Sequence, residues 1–108
     1  EPLQFAPHAA AIAQCLADDG ADVRWEALTA LLRLEPPQLA PHATKVVWCL
    51  ADGDADVRQE ALHVLQRLEP PQLAPHAAKV AWCLAGDDAG VRWTALDVLQ
   101  RLEPLQFA

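Results

Sequence analysis

The feature that most constrains this chain is that it repeats itself: shifted by 34 residues, the sequence falls into register twice. The copies run Glu1–Leu34, Glu35–Leu68 and Glu69–Leu102, and a fourth begins at Glu103 and breaks off at Ala108. A unit of this length is one supersecondary element that cannot bury its apolar face alone, so successive copies must bury theirs against each other in a row. The expected fold is an all-α, right-handed solenoid of three 34-residue helix pairs, forming one repeat domain over residues 1–108. Three units are about the minimum for such an array to hold together, so its two outermost faces are a large share of its apolar surface.

Each copy divides into two helices. In the middle copy the first is predicted over Pro37–Leu50, where Leu39, Ala43, Val46, Val47 and Leu50 recur at helical spacing and make one apolar stripe. Pro36 and Pro37 mark its entry, and Pro41 separates a short 3₁₀ turn from the helix proper. The second helix is predicted over Ala55–Leu68, with Val57, Ala61, Val64, Leu65 and Leu68 as its stripe. Asp54 is the expected N-cap, while Asp56 in the first turn and Arg67 in the last carry charges that suit the helix dipole. Glu69-Pro70-Pro71 then ends the helix, because a residue ahead of proline disfavours the α region.

Charge and composition exclude several classes of function. A net charge of −7, with eight basic residues spread along the chain, offers no stripe for a phosphate backbone, so no nucleic-acid partner is expected. No apolar run reaches the length of a membrane span and no signal peptide opens the chain, so neither a membrane partner nor secretion is expected. Localisation stays open between a reducing, cytoplasm-type compartment and a recombinant source. The absence of Met and the near-identity of the copies point to a processed or excised chain, either a designed or consensus-derived array or a piece of a very regular natural one. Cys15, Cys49 and Cys83 share one position of the repeat, so a stack would space them by the interhelix distance of roughly 10 Å. A disulfide needs Cα atoms about 4.4–6.8 Å apart, so these are read as small buried apolar side chains.

The chemistry-bearing residues argue against an enzyme. There is no serine, and each cysteine falls inside a predicted helix rather than at a turn beside a base, so the usual nucleophile arrangements are missing. Asp52-Gly53-Asp54-Ala55-Asp56 imitates the start of a calcium loop, but Val57 and His63 stand where that loop needs Gly and Glu. His8, His42 and His76 recur once per copy, too far apart in a stack to share one metal. No cofactor and no metal are expected.

Where the copies differ is informative. Within the second helix the variation follows one stripe: Trp25, Thr29 and Leu32, then Gln59, His63 and Gln66, then Trp93, Asp97 and Gln100. That stripe points away from the core stripe, which makes Trp25, Thr29, Gln59, His63, Trp93 and Asp97 the candidate surface for a peptide or protein partner. Trp48 and Trp82, in the first helices, serve either packing or contact.

The segments LADDGADVRWEALTALLRL, LADGDADVRQEALHVLQRL and LAGDDAGVRWTALDVLQRL resemble the HEAT-like repeats, especially the short phycobilisome-lyase type, whose second helix opens Asp-x-x-Val-Arg followed by Ala-Leu. The resemblance covers all three copies. It implies a scaffold or partner-binding surface and a ladder of Asp–Arg pairs between neighbouring repeats, carried here by Asp22 or Asp56 with Arg24, Arg58 and Arg92. An arginine in a helix's first turn faces the wrong end of the dipole and calls for a compensating carboxylate. The third copy departs from the pattern, with Gly86 and Gly90 where the other copies carry Asp. EALHVLQRLEPPQLAPHA also looks like the 34-residue DNA-reading repeats of plant-pathogen effectors, but an acidic loop where theirs faces DNA excludes that function.

The two ends, finally, are identical. Glu1–Ala6 and Glu103–Ala108 both read EPLQFA, against EPPQLA at the internal junctions. Leu3, Phe5, Leu105 and Phe107 therefore add apolar bulk where a capped array would carry polar residues. The expected function is a non-enzymatic scaffold that associates head to tail with itself, as a ring or filament, with peptide or protein binding on the variable stripe as the alternative.

Overall fold

The Glu-Pro-Pro-Gln stretch that opens the second and third copies sets where each helix pair begins. Glu35 is extended (φ −75°, ψ 156°), as a residue ahead of proline must be, and Pro36 and Pro37 fill the first helical positions, where no N–H is needed. The Glu35 N–H donates to Gln38 Oε1 at 3.1 Å, and the Glu69 N–H repeats this with Gln72 Oε1 at 3.0 Å.

The computed structural model describes residues 6–102. The first pair contains α1 (Ala9–Gln14) and α2 (Ala21–Leu31); the second contains α3 (Pro36–Leu39), α4 (Ala43–Trp48) and α5 (Ala55–Leu65). The third contains α6 (Pro70–Leu73), α7 (Ala77–Trp82) and α8 (Ala89–Gln100). Among the described residues every regular element is helical and there are no strands.

Two boundaries differ from the sequence expectation. The helix expected to run to Leu50 stops at Trp48 and ends in a 3₁₀ turn at Cys49–Ala51, while the 3₁₀ turn expected at Pro41 is present at Ala40–His42. Pro41 has no N–H to donate and its ring crowds the preceding turn, so the ladder cannot pass through it. The second helix stops at Leu65, and its last residues tighten into i→i+3 bonds, Arg67 N to Val64 O at 2.9 Å and Leu68 N to Leu65 O at 3.1 Å. Its start agrees with expectation: the Asp54 carboxylate accepts from Asp56 N at 2.9 Å and Val57 N at 3.1 Å.

Both predicted stripes are buried. Leu39, Ala43, Val46, Val47 and Leu50 meet Val57, Ala61, Val64, Leu65 and Leu68 in one core that runs through all three pairs. Each fully buried Leu or Val there contributes on the order of 1.5–3 kcal/mol relative to an exposed one. Within the pairs α1 packs on α2, α4 on α5 and α7 on α8, and between pairs α2 packs on α5 and α5 on α8.

Candidate functional site

The most highly built polar site lies where the first pair meets the second. After the Cys49–Ala51 turn the chain becomes extended at Asp52 (φ −61°, ψ 146°), and the Asp54 N–H donates back to Asp52 Oδ1 at 2.9 Å, which fixes the carboxylate. Arg24, in the first turn of α2, donates Nε to Asp52 Oδ2 at 2.6 Å and Nη2 to Asp52 Oδ1 at 2.9 Å, a bidentate pair. Its remaining Nη1 donates to the carbonyls of Asp18 and Asp19 at 2.9 and 3.1 Å. Burial pushes the Asp52 carboxyl up, but the hydrogen bonds from Arg24 and Asp54 and the charges of Arg24 and Arg58 outweigh it, and the carboxyl is held below its ordinary value. The same hydrogen bond to Asp52 raises Arg24 above the usual arginine value.

This corrects the expected ladder. The partner of Arg24 is Asp52, not Asp22 or Asp56: Asp22 Oδ1 accepts from Val23 N at 3.0 Å within its own helix turn, and Asp56 is exposed on the first turn of α5. The carboxylate that reaches an arginine comes from the loop before the neighbouring helix, because that loop lies directly beside the arginine's turn. Arg58 donates Nη1 to Asp52 O at 2.7 Å, but the position matching Asp52 in the third pair is Gly86. Arg58 is left 3.9 Å from the fully exposed carboxylate of Asp87. Arg92 donates Nη1 to Gly86 O at 2.9 Å.

A second set of arginines was not foreseen. Arg67 was expected to serve its own helix, yet it lies past the end of α5 and donates Nη2 to Leu34 O at 2.9 Å, at the end of the preceding pair. Arg101 does the same to Leu68 O at 3.1 Å and also donates to Gln66 O. Each thus satisfies a carbonyl left over where a neighbour's helix ends. The recurrence of Arg33, Arg67 and Arg101 at one position of every copy was the available signal.

The variable stripe is largely turned inward on itself. Thr29 Oγ1 donates to Glu60 Oε2 at 3.0 Å, and Glu60 Oε1 lies 3.3 Å from His63 Nδ1. Gln59 Nε2 donates to Thr94 Oγ1 at 3.3 Å and Gln66 Nε2 to Asp97 Oδ2 at 3.0 Å. Thr29, Gln59, His63 and Asp97 therefore join neighbouring second helices or lie in that seam, and Trp25 and Trp93 remain exposed beside it. On the opposite side Trp48 and Trp82 are 65% and 61% exposed and flank a groove of about 450 Å³ with Val47, Ala51, Ala78 and Lys79.

The outer faces of the first and third pairs show what a junction looks like without its other half. Val23 is 40% exposed, whereas its counterparts Val57 and Val91 are 0% and 2% exposed. At the other end Leu96 is 49% exposed, whereas Leu28 and Leu62 are both 0% exposed. Cys15 follows Val23: it is exposed where Cys49 and Cys83 are buried. Leu3, Phe5, Leu105 and Phe107, the residues expected to carry self-association, lie outside the described residues.

The chain matches no protein-family model and none of the curated proteins.

Cys49 and Cys83 have the character of packing groups, whereas Cys15, expected to be buried like them, is exposed on the outer face of the first pair. Burial, with a smaller contribution from the Asp52 charge, pushes the Cys49 thiol up to about 11, and burial raises Cys83 as well. Both stay protonated at neutral pH and are poor nucleophiles.

Proposed function

We propose that the chain is a right-handed, HEAT-like solenoid of three helix pairs that acts as a non-enzymatic scaffold and associates head to tail with copies of itself. The supporting observation is the mismatch at the two outer faces. Val23 and Leu96 are exposed at positions that are closed off wherever a neighbouring pair is present. The outer face of the first pair and that of the third correspond to the two halves of the interior junction, so the third-pair face of one copy fits the first-pair face of the next in the manner of an interior junction. Helix bounds, turns and buried positions that recur at the 34-residue offset support the solenoid arrangement. The peptide-binding alternative on the stripe is less favoured, because Thr29, Gln59 and Asp97 already hydrogen-bond within the chain and His63 sits against Glu60.

Head-to-tail contact has a signature that two-fold contact lacks. Val23→Glu disables one face of every copy and Leu96→Glu the other, so each variant alone stays at the monomer mass of 11.7 kDa in light scattering. Mixed together, the two variants form a 1:1 dimer, because each supplies the face the other has lost. Both positions are exposed, so neither substitution endangers the fold. In the unaltered chain, self-association also slows alkylation of Cys15, which takes the covered place of Cys49. A mixture that stays monomeric, or an unaltered chain of 11.7 kDa at every concentration, would overturn the proposal. The same measurement on a chain ending at Leu102 tells whether residues 103–108 compete with the incoming copy.

A further inference from the structure

The bidentate pair between Arg24 and Asp52 is a unit of two parts, an arginine on one helix pair and a loop carboxylate on the next, 28 residues ahead. Each part also occurs alone. Arg92 is seated as Arg24 is: its Nη1 donates to Gly86 O at 2.9 Å, as that of Arg24 does to Asp18 O. Among the described residues no carboxylate meets its other edge.

Asp18, for its part, is folded as Asp52 is. Its backbone angles are φ −64° and ψ 152°, against −61° and 146° at Asp52, and both follow a Cys-Leu-Ala 3₁₀ turn. The Asp18 carboxylate accepts the N–H two residues ahead, from Gly20 at 2.9 Å, as the Asp52 carboxylate accepts that of Asp54 at 2.9 Å. The turn that aims the acceptor is thus formed at Asp18, with no arginine against its carboxylate among the described residues.

We infer that Arg92 of one copy and Asp18 of the next complete this pair across the junction between copies, so that the chain recognises its own kind by charge as well as by apolar shape. The inference rests on the head-to-tail reading. In that arrangement a following copy continues the 34-residue series, and its Asp18 stands to Arg92 as Asp52 stands to Arg24. The pair also fixes direction. Contact between two first-pair faces sets Asp18 against Asp18, and contact between two third-pair faces sets Arg92 against Arg92, both unfavourable.

The test is charge exchange, read as the dissociation constant from concentration-dependent light scattering. Asp18→Arg or Arg92→Asp alone weakens association about tenfold or more, and the two together in one chain restore it, since each junction then pairs Asp with Arg in the opposite sense. Asp18→Asn is the gentler variant, because an amide oxygen still accepts from the Gly20 N–H while the charge is lost. It weakens association too, and the association of the unaltered chain falls with rising salt. Circular dichroism of dilute samples shows that the variants remain helical. If the unaltered chain does not associate at all, the head-to-tail reading fails and this inference with it. If it associates but Asp18→Asn binds as tightly, or the double exchange does not recover, the charge pair is wrong while the reading stands.

Discussion

The junction between the first and second pairs and the junction between the second and third are built from nearly the same apolar residues, yet their polar contacts differ. Leu28 faces the first junction and Leu62 the second, both fully buried, with Val57 and Val91 closing them from the other side. Among the described residues the first junction alone holds a bidentate ion pair; the second has Gly86 in place of the carboxylate and a 3.9 Å approach of Arg58 to Asp87. Along the second helices the contacts change as well, from Thr29 with Glu60 to Gln59 with Thr94 and Gln66 with Asp97. Apolar burial is common to both junctions and needs only the period. The polar links are additions, each made or lost by a single residue, without change to the helices around it.

Three measurements break or sharpen that comparison. Leu28→Ala and Leu62→Ala have the largest effect: each destabilises by about 2–5 kcal/mol in denaturant unfolding, and the two values agree within about 1 kcal/mol if the apolar halves are equivalent. A much larger cost at one of them would show that one junction carries the stability of the whole. Asp52→Asn comes next, lowering the melting temperature by several degrees at pH 7. The Asp52 carboxyl is held below its ordinary value in the folded state, so its contribution is fully present above the unfolded value of about 3.9 and is lost as pH falls through the lower folded one. The unaltered chain and the variant therefore converge in acid, and a gap that persists there would mean that something other than the charge is lost. Gly86→Asp has the smallest effect and the opposite sign. Gly86 is extended (φ −74°, ψ 169°) and a Cβ there would make only ordinary contact, 3.5 Å from Cys83 O. A carboxylate within reach of Arg58, together with reduced freedom of the unfolded chain worth roughly 0.4–1 kcal/mol, raises the melting temperature. No rise, or a fall, would show that Arg58 is not poised as Arg24 is.

Much of the fold was legible because period and pattern are local properties. The apolar stripes of the two helices, the Asp54 cap and the interruption at Pro41 all follow from residues within a turn or two of one another. The polar site was less legible, because its partners are 28 to 35 residues apart and their pairing depends on how helix pairs sit together. Of Arg24, Arg58 and Arg92, the arginines expected in the ladder, Arg24 meets a carboxylate of the next pair edge-on, and that carboxylate is Asp52 of the neighbouring loop rather than the Asp22 or Asp56 that lies near in sequence. Gly86 breaks the repeat visibly in the sequence, but the bond it removes, a carboxylate to Arg58, depends on the packing of the pairs. The stripe of variation marked residues that differ between copies, but differing residues also serve two different junctions, and that is where Thr29, Gln59 and Asp97 are used.

Gly86 has a mechanical consequence. In a head-to-tail stack where Arg92 meets Asp18, bidentate ion pairs close the junction between copies and the one between the first two pairs, while the junction at Gly86 has only the 3.9 Å approach of Arg58 to the fully exposed Asp87. Every third junction is then the first to part under tension, and it falls inside a chain, where Glu69-Pro70-Pro71 still joins the separated halves by covalent bonds. A pulled stack of this kind lengthens at regular intervals before it loses a single copy, and on release each gap closes again at the concentration set by its own tether rather than by the surrounding solution.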